Sequence, residues 1–125
     1  MKVLVIDDNE EFSLLVGEAL REKNFEVHSV LTGAEGIKAA LATRPDLILL
    51  DYELGDMCGH DVAVAIRCMR ATARIPFILL SSRAEDPMLL DGFDKFSSCV
   101  GAIGKGVPMA EIVGRVEQVC AKLHL

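Results

Sequence analysis

Leu47-Ile48-Leu49-Leu50-Asp51 is a run of four apolar residues closed by an acid. The same pattern opens the chain as Val3-Leu4-Val5-Ile6-Asp7-Asp8, and a variant ending in a hydroxyl follows as Phe77-Ile78-Leu79-Leu80-Ser81. A strand that is apolar at every position is covered on both faces, which is the condition of a central strand in a parallel sheet. Outward from these three runs, strand and helix patterns alternate. Phe12, Leu15, Val16, Ala19 and Leu20 recur at helical spacing and are expected to face inward. Phe25 to Val30 is a second strand whose Glu26 and His28 place it at an edge. Thr32 with Glu35 has the spacing of a capping box, opening a helix over 33–43 that carries Ile37 and Leu41, and Pro45 stops it. Val62, Ile66 and Met69 mark a helix reaching Ala71. Asp86-Pro87 suits an N-cap and first helical position, with Leu89, Phe93 and Phe96 on one face of the helix that follows. Cys99 to Ile103 is a fifth strand. Pro108 opens a last helix with Met109, Ile112, Val116, Cys120 and Leu123 inward.

Strict alternation predicts an α/β protein with helices on both faces of a parallel sheet. With strand 2 at an edge, strand 1 falls between strands 2 and 3. The order 2-1-3-4-5 satisfies this, giving a flavodoxin-like doubly wound five-stranded sheet with five helices. The 125 residues suit one domain, residues 1–125, that needs no disulfide or metal staple. The net charge of −6 argues against nucleic-acid binding, which needs a basic face. Cys58, Cys68, Cys99 and Cys120 form neither a C-x-x-C pair nor a zinc spacing with His, and read as reduced thiols. No apolar run approaches the ~20 residues of a membrane span, and no signal-peptide pattern is present, so a cytoplasmic protein is expected.

In doubly wound sheets ligands bind at the carboxyl ends of the strands, where the strand order reverses. That point lies between strands 1 and 3, which end in Asp7-Asp8 and Asp51. Strand 4 ends in Ser81, and strand 5 ends two residues before Lys105. Any one of these residues alone reads as a turn residue, a cap or a solvated charge; Asp8 or Asn9, for instance, suits the cap of the first helix. Arriving from four strands at one edge, they form a pattern. Three clustered carboxylates call for a cation, and Mg²⁺ takes oxygen ligands while keeping several waters. With Mg²⁺ bound, a carboxylate can attack phosphorus and form an aspartyl phosphate. A lysine and a hydroxyl can neutralise further phosphoryl oxygens. The glycines of 101–106 do not make a phosphate-binding loop, because Cys99 and Gly106 hold the positions that G-x-x-x-x-G-K-[ST] reserves for its first Gly and its Ser/Thr. His28, His60 and His124 have no site-like spacing, and Cys58 reads as a plain loop thiol.

Over its whole length the chain resembles the receiver domain of two-component response regulators. The resemblance is carried by Asp7-Asp8, by Leu50-Asp51 with Gly59 eight residues on, by Ser81 and by Lys105. It implies a signalling module and not an enzyme. Asp51 would accept a phosphoryl group from a sensor histidine kinase or a histidine phosphotransfer protein. Asp8 would bind Mg²⁺ directly, Asp7 through water, and the main-chain carbonyl of Glu53 would complete the protein ligands, with Asp51 among them. Ser81 and Lys105 would contact the phosphoryl group only once it is present, biasing a surface of the fourth helix, fifth strand and fifth helix. A dimer face on those helices is also implied. Downstream of Leu125 the resemblance accommodates either a regulator made of this domain alone or a C-terminal output domain.

Several positions depart from the family pattern. Gly55 and Gly106 stand where prolines are usual, Ala102 stands where a switch aromatic is usual, and the interval from Ser81 to Lys105 is slightly long. These departures touch the readout and not the acids. Two other functions compete. A haloacid-dehalogenase-like phosphatase also uses an aspartyl phosphate, and Asp51-Tyr52-Glu53 resembles its D-x-D motif, but Glu53 and Gly55 miss its second Asp and following Thr or Val. A phosphorylation-independent interaction module on the same fold is the other. Glu53 and Arg83 lie two residues beyond Asp51 and Ser81, at positions that by resemblance flank the path of the hydrolytic water. An ion pair between them would slow dephosphorylation. Arg83→Ala is therefore expected to shorten the lifetime of the phosphorylated protein, measured by following loss of phosphoryl mass; an unchanged lifetime rejects the pair.

Overall fold

The computed structural model describes residues 1–82, 92, 93 and 95–124. Five strands, β1 (Lys2–Ile6), β2 (Glu26–Val30), β3 (Leu47–Asp51), β4 (Phe77–Ser81) and β5 (Cys99–Gly104), form one sheet. Its order is β2-β1-β3-β4-β5, with all four pairings parallel. Among the described residues there are four helices: α1 (Glu10–Arg21), α2 (Gly33–Thr43), α3 (Gly59–Arg67) and α4 (Met109–Lys122). The fifth helix expected between β4 and β5, with Asp86, Pro87 and Leu89, falls largely outside the described residues, as does Arg83.

The apolar runs are central for the reason the sequence suggests. β3 and β4 are buried at every position, whereas β2 is mostly exposed at its edge. Side chains alternate across the sheet. Leu4, Ile6, Ile48, Leu50 and Leu79 point to one face and pack with Ala39, Ala40, Val62 and Ile66 of α2 and α3. Val3, Val5, Leu47, Leu49, Ile78 and Leu80 point to the other and pack with Val16 and Leu20 of α1 and Ile112 and Val116 of α4. Phe93 and Phe96 are buried in the first cluster. There their rings meet Phe77, His60 and Tyr52 edge-on, with centroid separations of 5.4–6.1 Å.

Helix faces differ from the apolar count. α1 buries Ser13, Val16, Gly17 and Leu20, and Leu15, expected inward, is 51% exposed. Small residues let the helix approach the sheet, and the Ser13 hydroxyl is satisfied at 3.4 Å by the Asp7 carbonyl. α2 likewise turns Gly33, Gly36, Ala39 and Ala40 inward, leaving Ile37 only partly buried and Leu41 exposed. Its N-cap is Thr32, whose hydroxyl accepts from the Glu35 amide at 3.1 Å and donates to the Glu35 carboxylate. α3 ends at Arg67, short of the expected Ala71. Buried Thr72 stops it, its hydroxyl donating to the Ile66 carbonyl at 2.8 Å and folding the chain back toward β4. Leu123, expected inward, lies just past the end of α4 and is exposed.

α2 rests so closely on β1 that a Cβ on Gly36 would sit 2.6 Å from Cδ1 of Ile6, a fully buried side chain. Overpacking of this kind costs about 1–3 kcal/mol. Gly36→Val is expected to lose that much in urea unfolding. Gly55→Ala, whose Cβ meets nothing within 4 Å, is the control and is expected to change stability by less than about 0.5 kcal/mol.

Candidate functional site

Two strand ends bring the acids together. Asp7 follows β1, and its amide donates to the Val30 carbonyl of neighbouring β2 at 3.2 Å. Asp51 is the last residue of β3. Asp7 and Asp51 are buried while Asp8 is exposed, and one carboxylate oxygen from each lies within 4.8 Å of the others. Lys105 reaches into this group from the turn after β5. Its Nζ is 2.8 Å from Asp7 Oδ2 and 3.2 Å from Asp51 Oδ2. Its backbone amide donates to the Ser81 carbonyl at 3.1 Å, which latches the ends of β4 and β5 together. Ser81 is itself buried. Asp8, Asn9, Asp51, Glu53, Leu54, Ser81, Ser82 and Lys105 line one open cavity of about 270 Å³.

The sequence-predicted residues Asp7, Asp8, Asp51, Glu53, Ser81 and Lys105 are thus gathered at one edge. Lys105 is already engaged with both buried acids, so its place at the site does not wait for a phosphoryl group. Ala102 is in β5, partly buried against the apolar cluster that holds Phe93 and Phe96. Arg83 lies outside the described residues.

Sequence reasoning left one cap undecided and three features unread. Asn9, one of two residues that suited the cap, is the N-cap of α1: its side chain accepts from the Phe12 amide at 3.0 Å, and its own amide donates to Asp7 Oδ1 at 2.9 Å. Asp56 spans 23 residues to cap α2, accepting from the Gly33 and Ala34 amides at 2.8 and 3.0 Å, and those bonds hold its carboxyl below the usual carboxylate range. Gly59 is needed for close approach, because a Cβ there would lie 2.6 Å from the Asp51 carbonyl oxygen and 2.9 Å from Tyr52 Cα. Cys58 caps α3, its thiol 3.3 Å from Asp61 Oδ2. It is among the four free cysteines. None of these long-range contacts leaves a signal in sequence spacing; only the Leu50-Asp51-to-Gly59 interval hinted at one.

Charge sets the chemistry. Burial, then repulsion from Asp7, raises the Asp51 pKa to about 6, against the attraction of Lys105. Burial opposes the charge on Lys105, but Asp7 and Asp51 outweigh it and its pKa ends above the ordinary value. Asp7 Oδ2 is buried, and its partner among the described residues is the Lys105 ammonium. Three carboxylates with one oxygen each inside 4.8 Å, two buried and one exposed, facing a single ammonium among the described residues, are an all-oxygen donor set that fits a hard divalent cation such as Mg²⁺. Asp7, Asp8 and Asp51 are the residues that could hold it.

An acid cluster at the switch point of a 2-1-3-4-5 parallel sheet, with a lysine from the last strand, defines the class of the protein. The family model for the response regulator receiver domain matches residues 3–117, and the chain belongs to that family. It is 32% identical over 116 residues to the transcriptional regulatory protein PrrA of Mycobacterium leprae, covering 93% of this chain and 48% of PrrA. It is 30% identical to the transcriptional regulatory protein SrrA of Staphylococcus aureus, covering 93% of this chain and 46% of SrrA. The chain therefore spans about half the length of these relatives. Among solved structures it is similar to the chemotaxis protein CheY4 of Vibrio cholerae (TM-score 0.87, 22% identity, 94% of this chain and 97% of that one). It is also similar to the non-phosphorylated HemR receiver domain of Leptospira biflexa (TM-score 0.82, 26% identity, 94% and 92%). No helix among the described residues is long and apolar enough to cross a membrane.

The raised Asp51 pKa has a sign that can be checked in metal-free protein. The folded state holds this proton more tightly than the unfolded state, whose carboxyl titrates near 3.8. Its contribution is fully present below pH 3.8 and is lost as pH rises through about 6. Urea midpoints measured in chelator are expected to show this decline in wild type and not in Asp51→Asn, which should be the more stable of the two at pH 7. A wild-type curve that matches Asp51→Asn in shape would contradict it.

Proposed function

We propose that Asp51 is the phosphoacceptor of this receiver domain. The observation that carries the reading is a buried carboxylate at a strand end, 3.2 Å from the Lys105 ammonium and within 4.8 Å of the Asp7 and Asp8 carboxylates. An Asp51 oxygen attacks the phosphorus of a phosphohistidine. The new O–P bond forms as the P–N bond breaks, and the departing imidazole keeps the electron pair and takes a proton from solvent. The donor is a sensor histidine kinase or a histidine phosphotransfer protein. Asp7, Asp8, Asp51 and the Glu53 main-chain carbonyl would hold Mg²⁺, which neutralises developing charge on the phosphoryl oxygens. Lys105 pairs with a second phosphoryl oxygen and the Ser81 hydroxyl donates to a third. With a pKa of about 6, Asp51 is mostly ionised at neutral pH and so nucleophilic. Asn9 and the α1 cap hold Asp7 in place from behind.

The domain acts as a switch in cytoplasmic signalling over residues 1–125, and Arg83 and Ala102 modulate lifetime and readout. The long relatives are named as transcriptional regulators; an output of that kind would come from a further domain, not from direct nucleic-acid binding by this acidic one. The phosphorylation-independent module is the runner-up. Against it stand the acids and lysine gathered at one edge, with Asp7 and Asp51 buried beside each other at an energetic cost.

Incubation with acetyl phosphate and Mg²⁺, followed by mass spectrometry of the intact chain, tests the reading. One added phosphoryl mass is expected on wild type and none on Asp51→Asn. No addition to wild type, or an addition that survives the substitution, would overturn it. Sustained phosphate release from a generic phosphate ester would instead favour the phosphatase.

A further inference from the structure

Among the described residues, three groups stand against the Lys105 ammonium. Two are the Asp7 and Asp51 carboxylates. The third is the ring of Phe12, whose centroid lies 5.0 Å from Nζ. An ammonium facing an aromatic ring is attracted by the ring's negative face. Phe12 is not there by loose packing. Its amide is bonded to the Asn9 cap, and the Asn9 amide is bonded to Asp7, so the ring is indexed to the same acid that the lysine touches. Its other contacts join the apolar cluster under α1 and α4. The lysine's backbone is held by its amide on the Ser81 carbonyl at 3.1 Å, so what these groups must place is the ammonium at the end of a flexible four-carbon stem.

We infer that Phe12 is a positioning residue for Lys105, its ring face keeping the ammonium beside Asp51 when a divalent cation takes over the carboxylate oxygens. This rests on the reading of Asp51 as phosphoacceptor. A cation entering among Asp7, Asp8 and Asp51 draws on the very oxygens that hold the lysine in the metal-free protein. Like charge then pushes the ammonium away. Of these three groups, the ring is the one whose attraction is unaffected by that competition. Without it, the ammonium on its flexible stem moves toward solvent, and the phosphoryl group arrives at a site lacking its second positive charge.

Two measurements test this on the full chain. The first is the NMR shift of the Lys105 Hε protons, with and without saturating Mg²⁺. A ring stacked on the side chain moves them upfield; the upfield position is expected in wild type under both conditions and is expected to be absent in Phe12→Leu. Signals at the position of a free lysine, or an upfield shift that vanishes when Mg²⁺ is added, would overturn the inference. The second is the rate of phosphorylation by acetyl phosphate, a donor too small to touch the outer face of α1. Phe12→Leu is expected to be about three- to tenfold slower, the size of one cation–π contact, and Phe12→Tyr is expected to restore the rate. Trifluorophenylalanine at position 12, which keeps the size and removes the negative face, is expected to match Leu. In a Lys105→Met background the Phe12→Leu loss is expected to disappear. A trifluoro variant as fast as wild type, or a loss that persists without the lysine, would overturn the inference. A wild type that takes up no phosphoryl group removes the Asp51 reading instead, and the NMR shifts then decide the Phe12 contact alone.

Discussion

Two carboxylates buried side by side, with a third at the rim, repel one another, and among the described residues one ammonium is set against them. Lys105 lies 2.8 and 3.2 Å from the two buried acids, yet it balances only part of their charge. The remainder appears as the raised pKa of Asp51. The surrounding architecture serves to hold this unfavourable group. Asp51 and Asp7 are fixed by the ladders of β3 and β1, Lys105 by its amide on Ser81, and Asp7 again by Asn9. A site held at such cost gains most from a ligand that supplies positive charge.

The sheet was legible because parallel strands covered on both faces leave apolar runs, and β1, β3 and β4 do so without interruption. The edge position of β2 was legible from Glu26 and His28. The acids, Ser81 and Lys105 were legible because each directly follows a strand, so topology alone delivers them to one edge. Helix faces were not. Ser13, Gly17, Gly33 and Gly36 are too small or too polar to count as apolar, yet smallness is what lets α1 and α2 reach the sheet. The end of α3 was missed because a hydroxyl, Thr72, and not a proline or glycine, stops it.

Long-range capping was also invisible. Asp56 reads as one more acid in a loop, and only the fold shows it closing the N-terminus of α2. With Gly59 pressed against the Asp51 carbonyl and Cys58 bridged to Glu53, the loop after β3 is fastened to α2 and α3. Phe12 is similar: its spacing assigned it to the core, and its second contact, with Lys105, joins residues 93 positions apart in the sequence.

The aromatic cluster beneath that loop has an optical consequence. The chain contains one tyrosine and no tryptophan, and that tyrosine, Tyr52, directly follows Asp51. Its ring meets Phe93 edge-on at 6.1 Å, and its amide is tied to the Leu80 carbonyl at 3.0 Å. Near-ultraviolet emission from the unlabelled protein therefore originates at a single phenol next to the acid pocket. The chain carries its own fluorophore at the place where its chemistry is expected, with no second emitter to mask it.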